Sequence, residues 1–164
     1  MKKTLFVVVL MVLASVLSAN CSVPAHLPLR VECGGFATGH VQGIAIDKEH
    51  QHMYFSFTTM LVKTDMKGRV IGTVSGLKGH LGCLAYNPAD GRVYGSLEYK
   101  NDAIGRGIAA AEGIATESTN RFYVAIFDVE KINSVGLDAT ASGVVTSVCL
   151  PEVARDYNAT VTLP

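Results

Sequence analysis

From Gly39 onward, apolar and polar positions alternate in short runs, and each run ends on a turn-forming cluster. Gln42 to Ile46 sets Ile44 and Ile46 against smaller neighbours. His52 to Phe57 is aromatic and β-prone, and Leu61 to Thr64 and Arg69 to Val74 follow, the last two joined across Asp65-Met66-Lys67-Gly68. Period-two alternation bounded by Gly, Asp, Asn and Pro predicts strands. Four strands on short connections must reverse at each step, so the unit is an up-and-down antiparallel sheet, with strands A to D in chain order.

The pattern then repeats 40 residues later: Gly39-His40-Val41-Gln42-Gly43-Ile44-Ala45-Ile46-Asp47 aligns with Gly79-His80-Leu81-Gly82-Cys83-Leu84-Ala85-Tyr86-Asn87. The register continues through Met53 to Phe57 against Val93 to Leu97, with Tyr and Ser recurring as identities. A period of this length made of short strands predicts β-propeller blades. The fold class expected is therefore all-β, a partial β-propeller of about two four-stranded antiparallel blades over residues 39–78 and 79–150. Strand C of the second repeat is Phe122 to Val129, where the spacing has grown from 40 to 63, so 23 residues are inserted between B and C, within residues 100–121 and their flanks. In that insert Ile108 to Glu112 predicts a helical turn and the remainder a loop. Val144 to Leu150 supplies strand D. Residues 151–164 have room for an interblade connection and a strand, the start of an incomplete further blade. Closed propellers have about four to eight blades, so the chain reads as the N-terminal fragment of something longer; a chain ending at Pro164 would have exposed sheet faces and edges and must associate, aggregate or remain partly disordered.

Before the repeats, Lys2 and Lys3 precede an apolar run from Leu5 to Leu17 and then Ser18, Ala19 and Asn20. That order predicts a secretory signal peptide over residues 1–20 and an exported protein, periplasmic or extracellular; a membrane span needs about 20 apolar residues, more than this run supplies. Cys21, just past the leader, is a candidate lipid anchor at a bacterial membrane. Residues 21–38 form an N-terminal segment. Removing Lys2 and Lys3 leaves 12 basic residues against 14 acidic ones. With no basic stripe, nucleic acid is excluded as a partner. Cys33, Cys83 and Cys149 show no metal-type spacing; they read as small apolar residues buried in strands, with one disulfide as the alternative.

Asn87-Pro88-Ala89-Asp90-Gly91-Arg92-Val93-Tyr94-Gly95 resembles the blade pattern of the NHL-like and gluconolactonase-like six-bladed propellers, in which an Asp/Asn-Pro turn leads into a strand carrying Val/Leu-Tyr. The resemblance covers about residues 39–150. It implies a six-bladed, secreted or periplasmic scaffold of the kind that hosts sugar lactonases and binding modules.

Topology places the candidate chemistry. In an A-B-C-D meander the D-to-A and B-to-C connections leave the same end of the sheet. His40 and His80 begin successive A strands, Glu98 ends the second B strand, and the insert with Asp102 follows it. These four are the candidate ligand-binding residues. His80 and Glu98 are also the candidate ligands for a divalent metal, calcium or zinc, because imidazole nitrogen and carboxylate oxygen are competent donors. A structural role, in which the repeated histidines bond the backbone of adjoining loops, is the alternative for His40 and His80. No catalytic set is recognisable. The function expected is an exported propeller that binds a small molecule, glycan or protein at the face carrying the insert. The alternative is a metal-dependent hydrolase of lactonase type.

Overall fold

The computed structural model describes residues 30, 35–115, 120–141 and 143–159. The leader, Cys21 and Cys33 lie outside them, as do residues 160–164. Five strands form one sheet in the order β1 (Gly43–Asp47), β2 (His52–Phe57), β3 (Met60–Asp65), β4 (Val70–Ser75) and β8 (Leu137–Asp138). Four form a second, in the order β5 (His80–Asn87), β6 (Arg92–Tyr99), β7 (Arg121–Asp128) and β9 (Val145–Cys149). Helix α1 (Ala103–Glu112) stands between β6 and β7, and helix α2 (Pro151–Asn158) follows β9. Apart from β8, every pairing is antiparallel.

The pairing registers show the two sheets to be equivalent. Ile44 faces Phe55, which faces Val62; Leu84 faces Gly95, which faces Ala125. On the other face, Ser56, Leu61 and Val74 form one cross-strand row, and Ser96, Val124 and Val148 form its counterpart. Each sheet therefore has a front, bearing the Tyr54 or Tyr94 row, and a back, bearing the Phe55 or Gly95 row.

The front of the first sheet packs on the back of the second. Ala45, Tyr54, Leu61 and Val74 join Leu81, Val93, Leu97, Ala125 and Phe127 in one core, and the Tyr54 and Tyr86 rings stack with centroids 6.1 Å apart. Each large apolar side chain enclosed there stabilises the fold by roughly 1.5–3 kcal/mol. The sheets approach closely at β1 and β5: a Cβ on Gly43 would stand 2.6 Å from the Gly82 carbonyl oxygen, which requires glycine. On the back of the first sheet, Met53, Phe55, Phe57 and Val62 make a smaller cluster with Phe36, Met60 and Met66.

Four features differ from the sequence expectation. The β7–β9 connection crosses to the first sheet, where β8 pairs parallel with the free edge of β4, Thr73 N–H donates to the Ser134 carbonyl and Ile132 is fully buried. A contact between segments so far apart in sequence has no local signature, and it covers an edge that would otherwise be open. Helix α1 is longer than the single turn expected, because Asp102 caps its start and Gly113, at φ 64°, ends it in the left-handed region. Residues Pro151–Asn158 form a helix and not a strand, with Pro at its first turn, Glu152 near the N-terminus and Arg155 near the C-terminus. Cys83 and Cys149 lie in strands but are exposed free thiols: Cys83 sits in the irregular stretch between Leu81 and Leu84, and Cys149 ends the edge strand β9. Among the described residues, no helix is long and apolar enough to cross a membrane.

Candidate functional site

His80 opens β5 directly opposite Glu98, the penultimate residue of β6, and its Nδ1 lies 2.9 Å from Glu98 Oε1. The same carboxylate oxygen receives Lys100 Nζ at 2.9 Å, and Lys100 stands 3.5 Å from Asp102 Oδ2. Asp102 in turn accepts the Gly105 N–H at 2.8 Å and caps α1. The cross-strand pair thus continues through one lysine into the start of the inserted helix. Gly105 seats that helix against the strand end, since a Cβ there would come within 1.7 Å of the Lys100 carbonyl oxygen. The Gly105-Arg106-Gly107 run is a packing device at its first glycine.

The electrostatics follow from this geometry. Burial pushes Glu98 up, but hydrogen bonds from His80 and Lys100 and the charge of Lys100 outweigh it, leaving the carboxyl below its usual range. The Glu98 hydrogen bond raises Lys100 against a smaller opposing effect of burial. The Gly105 N–H is the main cause of a lowered Asp102.

The site therefore unites three of the four residues expected from sequence: His80, Glu98 and Asp102. His40 is exposed, and no polar contact among the described residues ties it to the others. The reason is in the repeat, where the counterpart of Glu98 is Thr58. His80 and Glu98 do not fit a divalent cation well, because the Lys100 ammonium already occupies the space between the Glu98 and Asp102 carboxylates. Among the described residues no third His, Cys, Asp or Glu converges on them. Lys100 was not singled out from sequence, although Glu98, Lys100 and Asp102 stand two apart, the spacing that keeps side chains on one side of an extended chain.

Around this cluster α1 lines two hollows. One, with about 20 Å³ of room, enough for a single water, lies between Lys78, Gly79, Glu98, Lys100 and the buried Ile108 and Ala109 of α1. The other is a shallow depression of about 440 Å³ between Gly39, Thr58 and Thr59 of the first sheet's end and Ile104, Gly107 and Ile108 of the helix. The insert therefore meets the same end of both sheets.

A second polar cluster, absent from the sequence reading, fills the opposite end of the inter-sheet space. Asp47, 2% exposed, accepts from the His50 backbone N–H at 3.0 Å and lies 2.7 Å from His50 Nδ1. Lys63, 7% exposed, donates to the Val129 carbonyl at 2.8 Å. Burial lowers Lys63, with the charges of Asp47 and Glu130 opposing it; burial also lowers His52, helped by the Lys63 charge. The Lys63-to-Val129 bond joins the first sheet to the turn after β7 and reads as a structural clasp. Its signal in the sequence is Lys63 directly after the apolar Met60-Leu61-Val62 run, still within β3.

No family model, curated protein or solved structure matches the chain.

Proposed function

We propose that the two sheets are consecutive blades of a propeller-type arrangement in an exported protein, and that this arrangement is a binding module whose ligand sits at the end carrying α1. The front-to-back packing of two register-equivalent sheets supports the propeller reading, because radial repetition stacks each sheet's front on the next sheet's back. One observation carries the functional reading. The first repeat passes from β2 to β3 through Thr58 and Thr59 alone, whereas the second spends its whole insert there on a capped helix that roofs hollows at both sheet ends. The sheet does not need that helix to be complete, and ligand recognition concentrates on such additions to a rigid scaffold.

The ligand is a small molecule, a glycan or a protein segment, with Lys78, Lys100, Glu98 and the α1 backbone as polar contacts and Ile104 and Ile108 as apolar ones. The lactonase-type reading has less support, since the lysine between the two carboxylates competes with a metal.

Titrating isotope-labelled protein with panels of glycans, small organic acids and peptides tests the proposal. One class is expected to shift the amides of Gly39, Thr58, Lys78, Lys100 and α1 together. Gly107→Leu, placed where an added side chain meets nothing within 4 Å, fills the depression and weakens that response at least tenfold while the melt is kept. Binding that shifts only amides elsewhere, or that survives Gly107→Leu unchanged, contradicts it.

A further inference from the structure

The two meanders end on edges of opposite kind. In the first, β4 has Gly72, Thr73 and Val74 buried, and β8 pairs along its outer side. In the second, β9 holds the equivalent place, with Val148 where β4 has Val74, and Thr146, Ser147, Val148 and Cys149 are all exposed. Asp128 N–H donates to the Val144 carbonyl and Leu150 N–H to the Phe122 carbonyl, so the even-numbered residues of β9 bond to β7. The N–H and C=O groups of Val145, Ser147 and Cys149 therefore point outward. At β4 the equivalent outward groups are used: Thr73 N–H donates to the Ser134 carbonyl, and the Ser75 carbonyl accepts from Ala139 N–H. Among the described residues, no segment does this for Ser147 or Cys149.

We infer that β9 is the pairing edge of a twofold dimer, in which β9 of a second copy runs antiparallel to it with Ser147 opposite Ser147. The edge carries none of the features that keep strands apart: Val144 to Leu150 contains no charge and no proline, and its register with β7 has no shift. Such a flat, regular edge is a template for another strand. The strand is also complementary to itself. In the twofold register Thr146 meets Val148 of the second copy, a pair of β-branched side chains, Val145 meets Cys149, and the two Ser147 residues exchange both of their outward hydrogen bonds. A crossing segment of the kind seen at β4 does not fit here. There the Ser134 carbonyl oxygen lies 2.8 Å from where a Cβ on Gly72 would stand, and Thr146 occupies the equivalent position on β9. A straight neighbour avoids that clash, and the second copy's β9 is straight. Helix α2 leads away from the edge: Tyr157 packs on Phe122 with ring centroids 5.1 Å apart, and Asn158 accepts from Asn120, which in turn accepts from the Asn101 N–H beyond β6. A further sheet stacked by its face would leave the edge as open as before. Each copy offers one such edge, so association stops at two.

Light scattering coupled to gel filtration of the full chain over a range of concentrations should show conversion from one copy to two and nothing larger. Ser147→Pro removes an outward N–H and leaves the β7 ladder intact, so it should keep its cooperative melt and weaken the dimer at least tenfold. Should that variant lose its melt, Ser147→Lys takes its place, because it sets two like charges directly opposite one another. Disulfide trapping reads the register, in a chain whose native cysteines are all serine. With oxidised glutathione as oxidant, Ser147→Cys should link two copies at least tenfold faster than Thr146→Cys, since residue 147 faces its own counterpart and residue 146 does not. Both changes fall at exposed positions. Four outcomes overturn the inference: a chain that stays single at every concentration, assembly beyond two copies, a blocked edge that dimerises like wild type, or equal trapping at the two positions.

Discussion

The Ser56 hydroxyl donates to the Gly82 carbonyl oxygen at 2.5 Å, across the boundary between the two sheets. Ser56 is fully buried and lies in the cross-strand row with Leu61 and Val74, so its hydrogen bond sits beside the apolar contact and fixes how far the sheets can slide.

Ser56→Ala removes that donor within a buried interface and should cost about 1–3 kcal/mol in urea unfolding. Ser96→Ala, its exposed equivalent, should change stability by less than about 0.5 kcal/mol. Equal losses at the two positions would show that the Ser56 bond does not join the sheets.

Gly105 and Gly107 stand two apart in α1 and should respond oppositely to alanine. At Gly105 the methyl meets the Lys100 carbonyl, so the helix must lift; the prediction is a loss of roughly 2 kcal/mol or more and faster amide exchange across α1. At Gly107 the methyl meets nothing, and the better helix former should slow that exchange by about 0.5–1 kcal/mol.

The His80–Glu98–Lys100 cluster makes a signed prediction about pH. Glu98 is lowered in the folded chain, so its contribution is full above the ordinary glutamate value of 4.5 and fades as pH falls through the folded value. Lys100 is raised, so its contribution is full below the ordinary 10.5 and fades as pH rises through its folded value. The stability difference between wild type and Glu98→Gln, under about 1 kcal/mol for a partly exposed pair, should therefore shrink as pH falls from 4.5 through the folded value of Glu98 and again as pH rises from 10.5 through that of Lys100. A difference that persists undiminished well into acid, past the folded value of Glu98, would contradict the contacts described.

Tyr54 is fully buried, and among the described residues its hydroxyl has no hydrogen-bond partner. Tyr54→Phe keeps the ring stack on Tyr86 and removes the uncompensated oxygen, so the variant should be as stable as wild type or up to about 1 kcal/mol more stable. A clear loss in thermal unfolding would show that the hydroxyl is satisfied.

The strands were legible because their signals are local. Ile44 and Ile46 alternate with smaller residues, and the Asn87-to-Gly91 turn reads directly from its Pro and Gly. The union of His80, Glu98 and Asp102 was also legible, since antiparallel topology sends their connections to one end. What escaped depends on contacts between distant segments. The pairing of Leu137 with Val74 spans the chain from the second repeat back to the first, and nothing around Leu137 marks it as a strand. The burial of Lys63 depends on the Val129 carbonyl, which arrives only when the second sheet docks. Cys83 looked like a core residue because its neighbours Leu81 and Leu84 are; the register shift between them turns it outward.

The front-to-back order of the two sheets underlies the reading of this protein as stacked repeats, and proton–proton contacts among tyrosine rings in solution test it most directly. The order predicts strong cross-peaks between the Tyr54 and Tyr86 rings and none between Tyr54 and Tyr94, which lies on the far face of the second sheet. A Tyr54–Tyr94 cross-peak within one chain would mean that the two fronts face one another, and would contradict the repeat packing.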